Sequence, residues 1–225
     1  MIKTAVISGS SRGLGMNISS HLLSCDWHVI GIARSSPTIS HKQYTHIQAD
    51  IRNIHDIESI KSTIKDIKIN ALINNAAIFM RKKFCNSTFS DIDNMIDTNV
   101  KGTMYLTKLL INNITENGNI VFINSVAGIN ELEMQSLYCA SKHALTAFAG
   151  VIGRELQSKN ISVTNIHPGG INTQLWNENN PYPGDDITKT IDPHEIARLI
   201  EFILNKSSSI EYKTIKLFPS NEWHQ

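Results

Sequence analysis

The chain has 225 residues, 41% of them hydrophobic, with 21 basic and 20 acidic residues interspersed to a net charge of +1. That is enough apolar material for one well-cored α/β domain over residues 1–225 and too little for a second of similar size, and the balanced charge leaves no footprint for nucleic acid or an anionic membrane. No apolar run approaches the roughly 20 residues that span a bilayer, no leader-type cleavage site follows the N-terminal apolar stretch, and three scattered cysteines (Cys25, Cys85, Cys139) suit a reducing, cytoplasmic compartment, with small molecules as partners and no metal site expected.

The first expected strand, Ile2 to Ser8, runs straight into Gly9-Ser-Ser-Arg-Gly-Leu-Gly15 and then an amphipathic helix through Leu23. Strand, glycine turn and helix start in that order let backbone N–H groups at Gly9, Ser11, Arg12, Gly13, Leu14 and Gly15 approach a pyrophosphate, whose charge the helix N-terminus favours. The second strand, Trp27 to Ala33, ends at Arg34 instead of the acidic residue that would hold the ribose hydroxyls of NAD. A guanidinium there suits a 2′-phosphate, and Arg12 is a second cation on the same side, so NADP(H) is expected over NAD(H). Two solvated surface arginines are the competing reading.

A third strand, Tyr44 to Ala49, leads to Asp50-Ile51, where Asp50 is also placed to cap a helix from Ile54 to Ile67. The fourth, Ile69 to Ile73, ends in Asn74-Asn75-Ala76-Ala77, whose small residues let a ligand pass closely. A loop from Phe79 to Ser90 precedes a helix from Asp91 to Asn112 that contains Asn99.

The apolar run Asn119 to Asn124 reads as a buried strand closed by Ser125. After it, Ser136 to Leu156 reads as a helix with Tyr138 and Lys142 four apart on one face. A phenol beside a fixed cation is expected to have a lowered pKa and to exchange a proton, while the Ser125 hydroxyl could hold a carbonyl oxygen as hydride reaches its carbon. Cys139 reads as core packing. A sixth strand, Ile161 to Ile166, enters His167-Pro-Gly-Gly-Ile-Asn-Thr173, in which His167 reads as structural because Tyr138 already fills the proton-transfer role. The aperiodic stretch Gln174 to Asp192, with Trp176 and Tyr182, reads as a mobile lid over the substrate. Asp192-Pro193 opens a helix through Leu204, and Thr214 to Phe218 is the last strand.

Strands alternate with helices from end to end, which argues for a doubly wound parallel sheet of about seven strands covered on both faces. Tyr138-x-x-x-Lys142, Ser125 upstream and the Gly-x-x-x-Gly-x-Gly turn together resemble the short-chain dehydrogenases/reductases, over residues 2 to about 218. The resemblance implies a Rossmann-type fold and hydride transfer between a nicotinamide and a carbonyl or secondary alcohol, with Tyr138 as acid/base. It adds Asn99, which in the family interrupts its helix, to Ser125, Tyr138 and Lys142 as a fourth catalytic residue, through a water linked to the lysine. It also lays Asp50 and Ile51 along the adenine, Asn75 and Ala76 beside the cofactor, and Pro168, Gly169, Ile171 and Thr173 at the nicotinamide end, with Tyr138 and Lys142 touching the cofactor as well. Ala77 stands where the family has glycine, and Pro219-Ser220-Asn221 where it often has a glycine pair. Relatives pair the helices matching 91–112 and 136–156 across a two-fold axis, so a homodimer is expected, or a tetramer, seated on Met95, Met104 and Leu109 of one helix and Ala140, Ala144, Ala147, Phe148, Val151 and Ile152 of the other. A longer sugar-nucleotide epimerase or dehydratase and a non-catalytic dinucleotide sensor or scaffold are the alternatives. The first needs an extra C-terminal substrate domain, and the second is expected to have lost one of the four catalytic positions.

Overall fold

A computed structural model describes residues 2–184, 186–207 and 209–220; Asp185 of the expected lid and Asn221 lie outside them. Seven strands form one parallel sheet: β1 (Thr4–Ser8), β2 (His28–Ala33), β3 (Tyr44–Gln48), β4 (Ile69–Asn74), β5 (Ile114–Ile123), β6 (Ser162–Pro168) and β7 (Thr214–Leu217), in the order β3-β2-β1-β4-β5-β6-β7. The chain winds outward from β1 to β3, then crosses back to lay β4 on the other side of β1. A crevice therefore opens between β1 and β4, at the carboxyl ends where ligands of such sheets bind.

Both faces of the sheet are covered, so its strands are apolar on both sides. Ala5 and Ile7 of β1 face α1 (Gly13–Ser24) and α6 (Pro193–Leu204), packing with Ile18, Leu22, Ile196 and Ile200. Val6, one residue out of phase, faces the other layer with Leu72 and Phe122, where α2 (Ile54–Ile64), α4 (Thr103–Leu110) and α5 (Ser136–Glu155) bring Ile57, Ile60, Leu106 and Ile152. Gly31 on β2 leaves room for the Tyr44 phenol, which crosses from β3 and donates to Ser10 Oγ at 3.2 Å beneath the glycine turn.

Several expected elements differ in detail. Asn53, not Asp50, caps α2, its side chain accepting the His55 N–H at 3.0 Å. Asp50 is engaged by Arg52 instead. Strand β5 begins at Ile114, ahead of the expected Asn119, because Asn117 at φ 61° carries the polar stretch 115–118 through an irregular pairing with β4 that hides it from an apolar pattern. The helix expected over 91–112 is interrupted at Asn99, as the resemblance implies: α3 (Phe89–Ile96), opened by a Thr88–Asp91 capping box, and α4 are joined by a π-helical turn Asp97–Gly102 that carries Asn99. Asp192 caps α6 as expected, accepting the His194 N–H at 2.8 Å.

Two residues expected on an outer helical face belong to the interior. Met95 and Ile152 are buried, the first beside Tyr138 and the second against the sheet. Among the described residues no helix is long and apolar enough to cross a membrane, and no group of three or more His, Cys, Asp or Glu side chains is placed to hold a metal ion.

Candidate active site

A cleft of about 660 Å³ lies over the carboxyl ends of the strands. Parallel pairing delivers its walls: Gly9 follows β1, Arg34 follows β2, Asn75 follows β4, Ser125 follows β5 and Pro168 ends β6. Every cofactor-binding residue expected from the sequence lines this one cleft, as do Ser125, Tyr138 and Lys142.

Ser125 sits just past the end of β5 and caps the short turn Val126–Gly128, its Oγ accepting the Ala127 N–H at 3.1 Å. Tyr138, in the first turn of α5, has its phenol beside the Ser125 side chain and is 8% exposed. Lys142, one turn on, lies over the Tyr138 ring at 5.6 Å from its centroid and donates from Nζ to the Ile123 carbonyl at 2.9 Å. Burial governs both groups. The phenol is pushed up to about 12 by desolvation, against the Ser125 hydrogen bond that lowers it. Loss of hydration brings Lys142 down to about 8. The expected lowering of the phenol's pKa by a neighbouring cation is therefore corrected: the ammonium is turned toward a carbonyl, and the desolvation cost of a buried phenolate prevails.

Asn99 does not line the cleft. Its Oδ1 accepts the Ile78 N–H at 2.8 Å, and its Nδ2 donates to the Ile78 carbonyl at 2.9 Å and to Ser141 Oγ at 3.1 Å. The π-turn thus ties the loop after β4 to α5 behind Tyr138. His167 is wholly buried on β6, with Nδ1 at 2.9 Å from the Ser125 carbonyl, and burial depresses its pKa. As a neutral ring donating from Nδ1, it braces the segment that carries Ser125, in keeping with the structural reading. Cys139 is buried in the small cluster with Phe79 and Met95.

At the dinucleotide end, Ser8 and Asn75 lock two strand ends together. Ser8 Oγ accepts the N–H groups of Asn75 and Ala76 at 3.0 and 3.1 Å, and Asn75 Nδ2 donates to the Ser8 and Gly9 carbonyls at 3.0 and 3.2 Å. The amide of Asn75 is thereby committed to shaping the turn. Gly13 has φ 55°, and a Cβ there would meet only Thr173 carbons at 3.7 and 3.9 Å, projecting into the gap between the glycine turn and the segment after β6. Arg12, the N-cap of α1, makes no side-chain cap, so the first N–H groups of that helix are left to the cleft. This uncapped, glycine-lined N-terminus fits a pyrophosphate.

Arg12 and Arg34 are exposed and form no salt bridge among the described residues. Arg52 forks onto the Asp50 carboxylate at 2.6 Å and reaches Asn94 Oδ1 at 3.1 Å, holding the Asp50 carboxyl below its usual range. Arg52 went unnoticed in the sequence, as did Leu132, Gln135 and Asn180 in the cleft wall. Of these, Gln135 alone has a usable signal, because it stands three residues before Tyr138, at the N-cap of α5.

The stretch 174–190 is an excursion pinned at its base, where Ile171 pairs with Ile191 and the Asn172 N–H donates to the Ile191 carbonyl at 2.9 Å. It leans on the loop after β4: Asn180 Oδ1 accepts the Arg81 N–H at 3.0 Å, and Trp176 meets Phe79 edge-on at 4.9 Å.

Residues 3–183 match the family model described as short chain dehydrogenase. The L-xylulose reductase of Caenorhabditis elegans is 30% identical over an alignment covering 88% of this chain and 83% of that one. The solved structure of ElxO with NADP bound has a TM-score of 0.85 at 22% identity, covering 97% of this chain and 98% of that one. The 3-ketoacyl-(acyl-carrier-protein) reductase of Brucella melitensis complexed with NADH also has a TM-score of 0.85, at 18% identity and 97% coverage of both chains. At those identities the two structures speak for the fold.

Proposed function

Because this chain belongs to the short-chain dehydrogenase family of oxidoreductases, with a nicotinamide dinucleotide as cofactor, we propose that it is an NADP(H)-dependent reductase or dehydrogenase of a small carbonyl compound or secondary alcohol. The observation that carries the reading is the buried Tyr138 phenol, set beside Ser125 and overlain by Lys142, in the same cleft as the glycine turn. When bound, the nicotinamide supplies or accepts the hydride. Ser125 holds the substrate oxygen, and Tyr138, protonated at neutral pH because burial raises its pKa, gives that oxygen its proton. Lys142 stabilises the phenolate left behind. Asn99 acts as a positioning residue, since its amide is spent on Ile78 and Ser141.

The preference for the 2′-phosphorylated cofactor rests on Arg12 and Arg34, two cations in the cleft that form no salt bridge among the described residues. ElxO was solved with NADP and the Brucella reductase with NADH, so the fold admits either and the charges decide. Neither alternative from the sequence is favoured: the four catalytic positions are all present, and the site is assembled around one cleft. The direct test is NADPH absorbance against a panel of carbonyl compounds, with NADH in parallel. NADPH oxidation that requires both a carbonyl and Tyr138 is the expected result.

A further inference from the structure

The cleft is chemically divided. Apart from Lys142, whose Nζ is bonded to the Ile123 carbonyl, the charged side chains that line it among the described residues are Arg12, Arg34, Asp50 and Arg52, all at the dinucleotide end. Around the Tyr138 hydroxyl the walls are rings. Phe79 stands edge-on to Tyr138 at 4.9 Å and 89°, Trp176 to Phe79 at 4.9 Å and 67°, and Tyr182 to Trp176 at 5.2 Å and 73°. Val126, Leu132 and Pro183 also line the cleft. The indole offers no donor to a ligand, because its Nε1–H is spent on the Ile171 carbonyl at 3.0 Å. At the N-cap of the helix that carries Tyr138, Gln135, 8% exposed and lining the cleft, makes no side-chain hydrogen bond among the described residues.

We infer that the substrate is an uncharged ketone or aldehyde bearing an aromatic or other flat apolar group beside its carbonyl, seated on Phe79 and Trp176, with Gln135 bonding a second neutral oxygen. This rests on the reading of the site as a carbonyl reductase. A carboxylate or phosphate on the substrate would be taken out of water among four rings, where the cation at hand, Lys142, is already turned to the Ile123 carbonyl, and burial of an unpaired charge is penalised heavily. An aryl group gains both apolar burial and edge-to-face contacts. In the reaction the hydride of NADPH adds to the carbonyl carbon and the Tyr138 proton to its oxygen, giving a neutral alcohol and NADP⁺, and the flanking ring is unchanged.

Binding and turnover are measured separately, so that the inference and the reading beneath it fail differently. In calorimetric titrations of the NADP⁺-saturated protein, an aryl 1,2-diketone is expected to bind at least roughly tenfold tighter than the same compound carrying a ring carboxylate. Trp176→Ala is expected to weaken the aryl diketone by a similar factor while leaving NADP⁺ affinity unchanged, and Gln135→Leu to remove the advantage of the diketone over the matching monoketone. Carboxylated or phosphorylated ligands binding as tightly as neutral ones would overturn the substrate class, whatever the assay shows. Binding of the neutral aryl compound in the predicted order without any NADPH oxidation would uphold the substrate class and overturn the reductase reading.

Discussion

The two halves of the cleft are built by different means. The dinucleotide half is made of backbone and of side chains whose hydrogen bonds are already spent: Ser8 and Asn75 clasp each other, and Asn53 and Arg52 hold the turn after β3. The substrate half is made of ring edges and an excursion whose side chains bond mostly to its own backbone and to the loop after β4. Rigid strand ends carry a feature common to every turnover, the phosphate, whereas loops carry what varies between substrates. Tyr138 stands where the halves meet, so the division can be broken or sharpened by perturbing each side and asking what moves.

The largest effect is expected at the junction itself. Tyr138→Phe removes only the proton-bearing hydroxyl, and kcat should fall by roughly 10²- to 10⁴-fold, the usual worth of positioned acid–base catalysis. NADPH affinity should stay within about twofold, since the ring still packs on Phe79 and Lys142 still reaches the Ile123 carbonyl. Stopped-flow turnover together with NADPH fluorescence titration reads both quantities, and near wild-type kcat would remove Tyr138 from the chemistry.

On the dinucleotide side, Arg34→Asp should weaken NADPH by roughly ten- to a hundredfold, because charge-assisted pairs contribute about 1.5–3 kcal/mol. NADH should be affected far less, and the relative rates for neutral and charged carbonyl substrates at saturating cofactor should not move. A variant whose NADPH to NADH preference is unchanged would make Arg34 a surface bystander and confine the phosphate to Arg12.

The substrate side carries the pH dependence. Lys142, lowered to about 8 by burial, is charged below that pH and loses its proton above it, whereas Tyr138, raised to about 12, remains an acid throughout. Carbonyl reduction should therefore hold a plateau below about pH 8 and fall above it, by up to tenfold per pH unit, before the phenol itself titrates. A profile of log kcat/KM measured in the reductive direction checks this. A plateau persisting to pH 10 would show that Lys142 keeps its charge in the working enzyme.

What could be read from the sequence follows the same division. The glycine turn, the strand ends and the Tyr138–Lys142 spacing are local patterns, and the parallel sheet needs only that strands and helices alternate. The start of β5 is hidden because Thr115 to Gly118 is polar and leaves the regular ladder, and the π-turn at Asn99 escapes any 3.6-residue count, so only the family resemblance points to an interruption there. The phenol's pKa is not legible in the sequence, because spacing places a lysine near a tyrosine without saying how deeply both are buried or which carbonyl the ammonium faces. Leu132, Gln135 and Asn180 come together only through the tertiary packing of the excursion on the loop after β4, which has no periodicity to betray it.

The smallest effect on chemistry is expected from a surface that belongs to neither half. With Met95 and Ile152 in the core, the outer face of α5 still presents Val151 at 55% exposure. Exposed Ala140 and Ala147 accompany it, with half-buried Ala144 and Phe148 beside them, and α4 adds half-buried Met104 and Leu109. Phe148 is held from beneath by an edge contact with Phe122 at 5.8 Å, so its ring is fixed in place. Small side chains let two helices approach closely, and an isologous pairing of this face with its copy would cover α4 and α5 together. We propose that the protein is a homodimer through this face. Val151→Arg places a charge on the seam without touching the core, and light scattering at micromolar concentration should show the mass falling toward that of one chain. Neither half of the cleft uses these residues, so the dissociated variant should keep its NADPH affinity and its order of substrate preference. A wild-type protein that is already monomeric under those conditions would refute the pairing, and a variant that dissociates and loses cofactor affinity would tie the interface to the dinucleotide half.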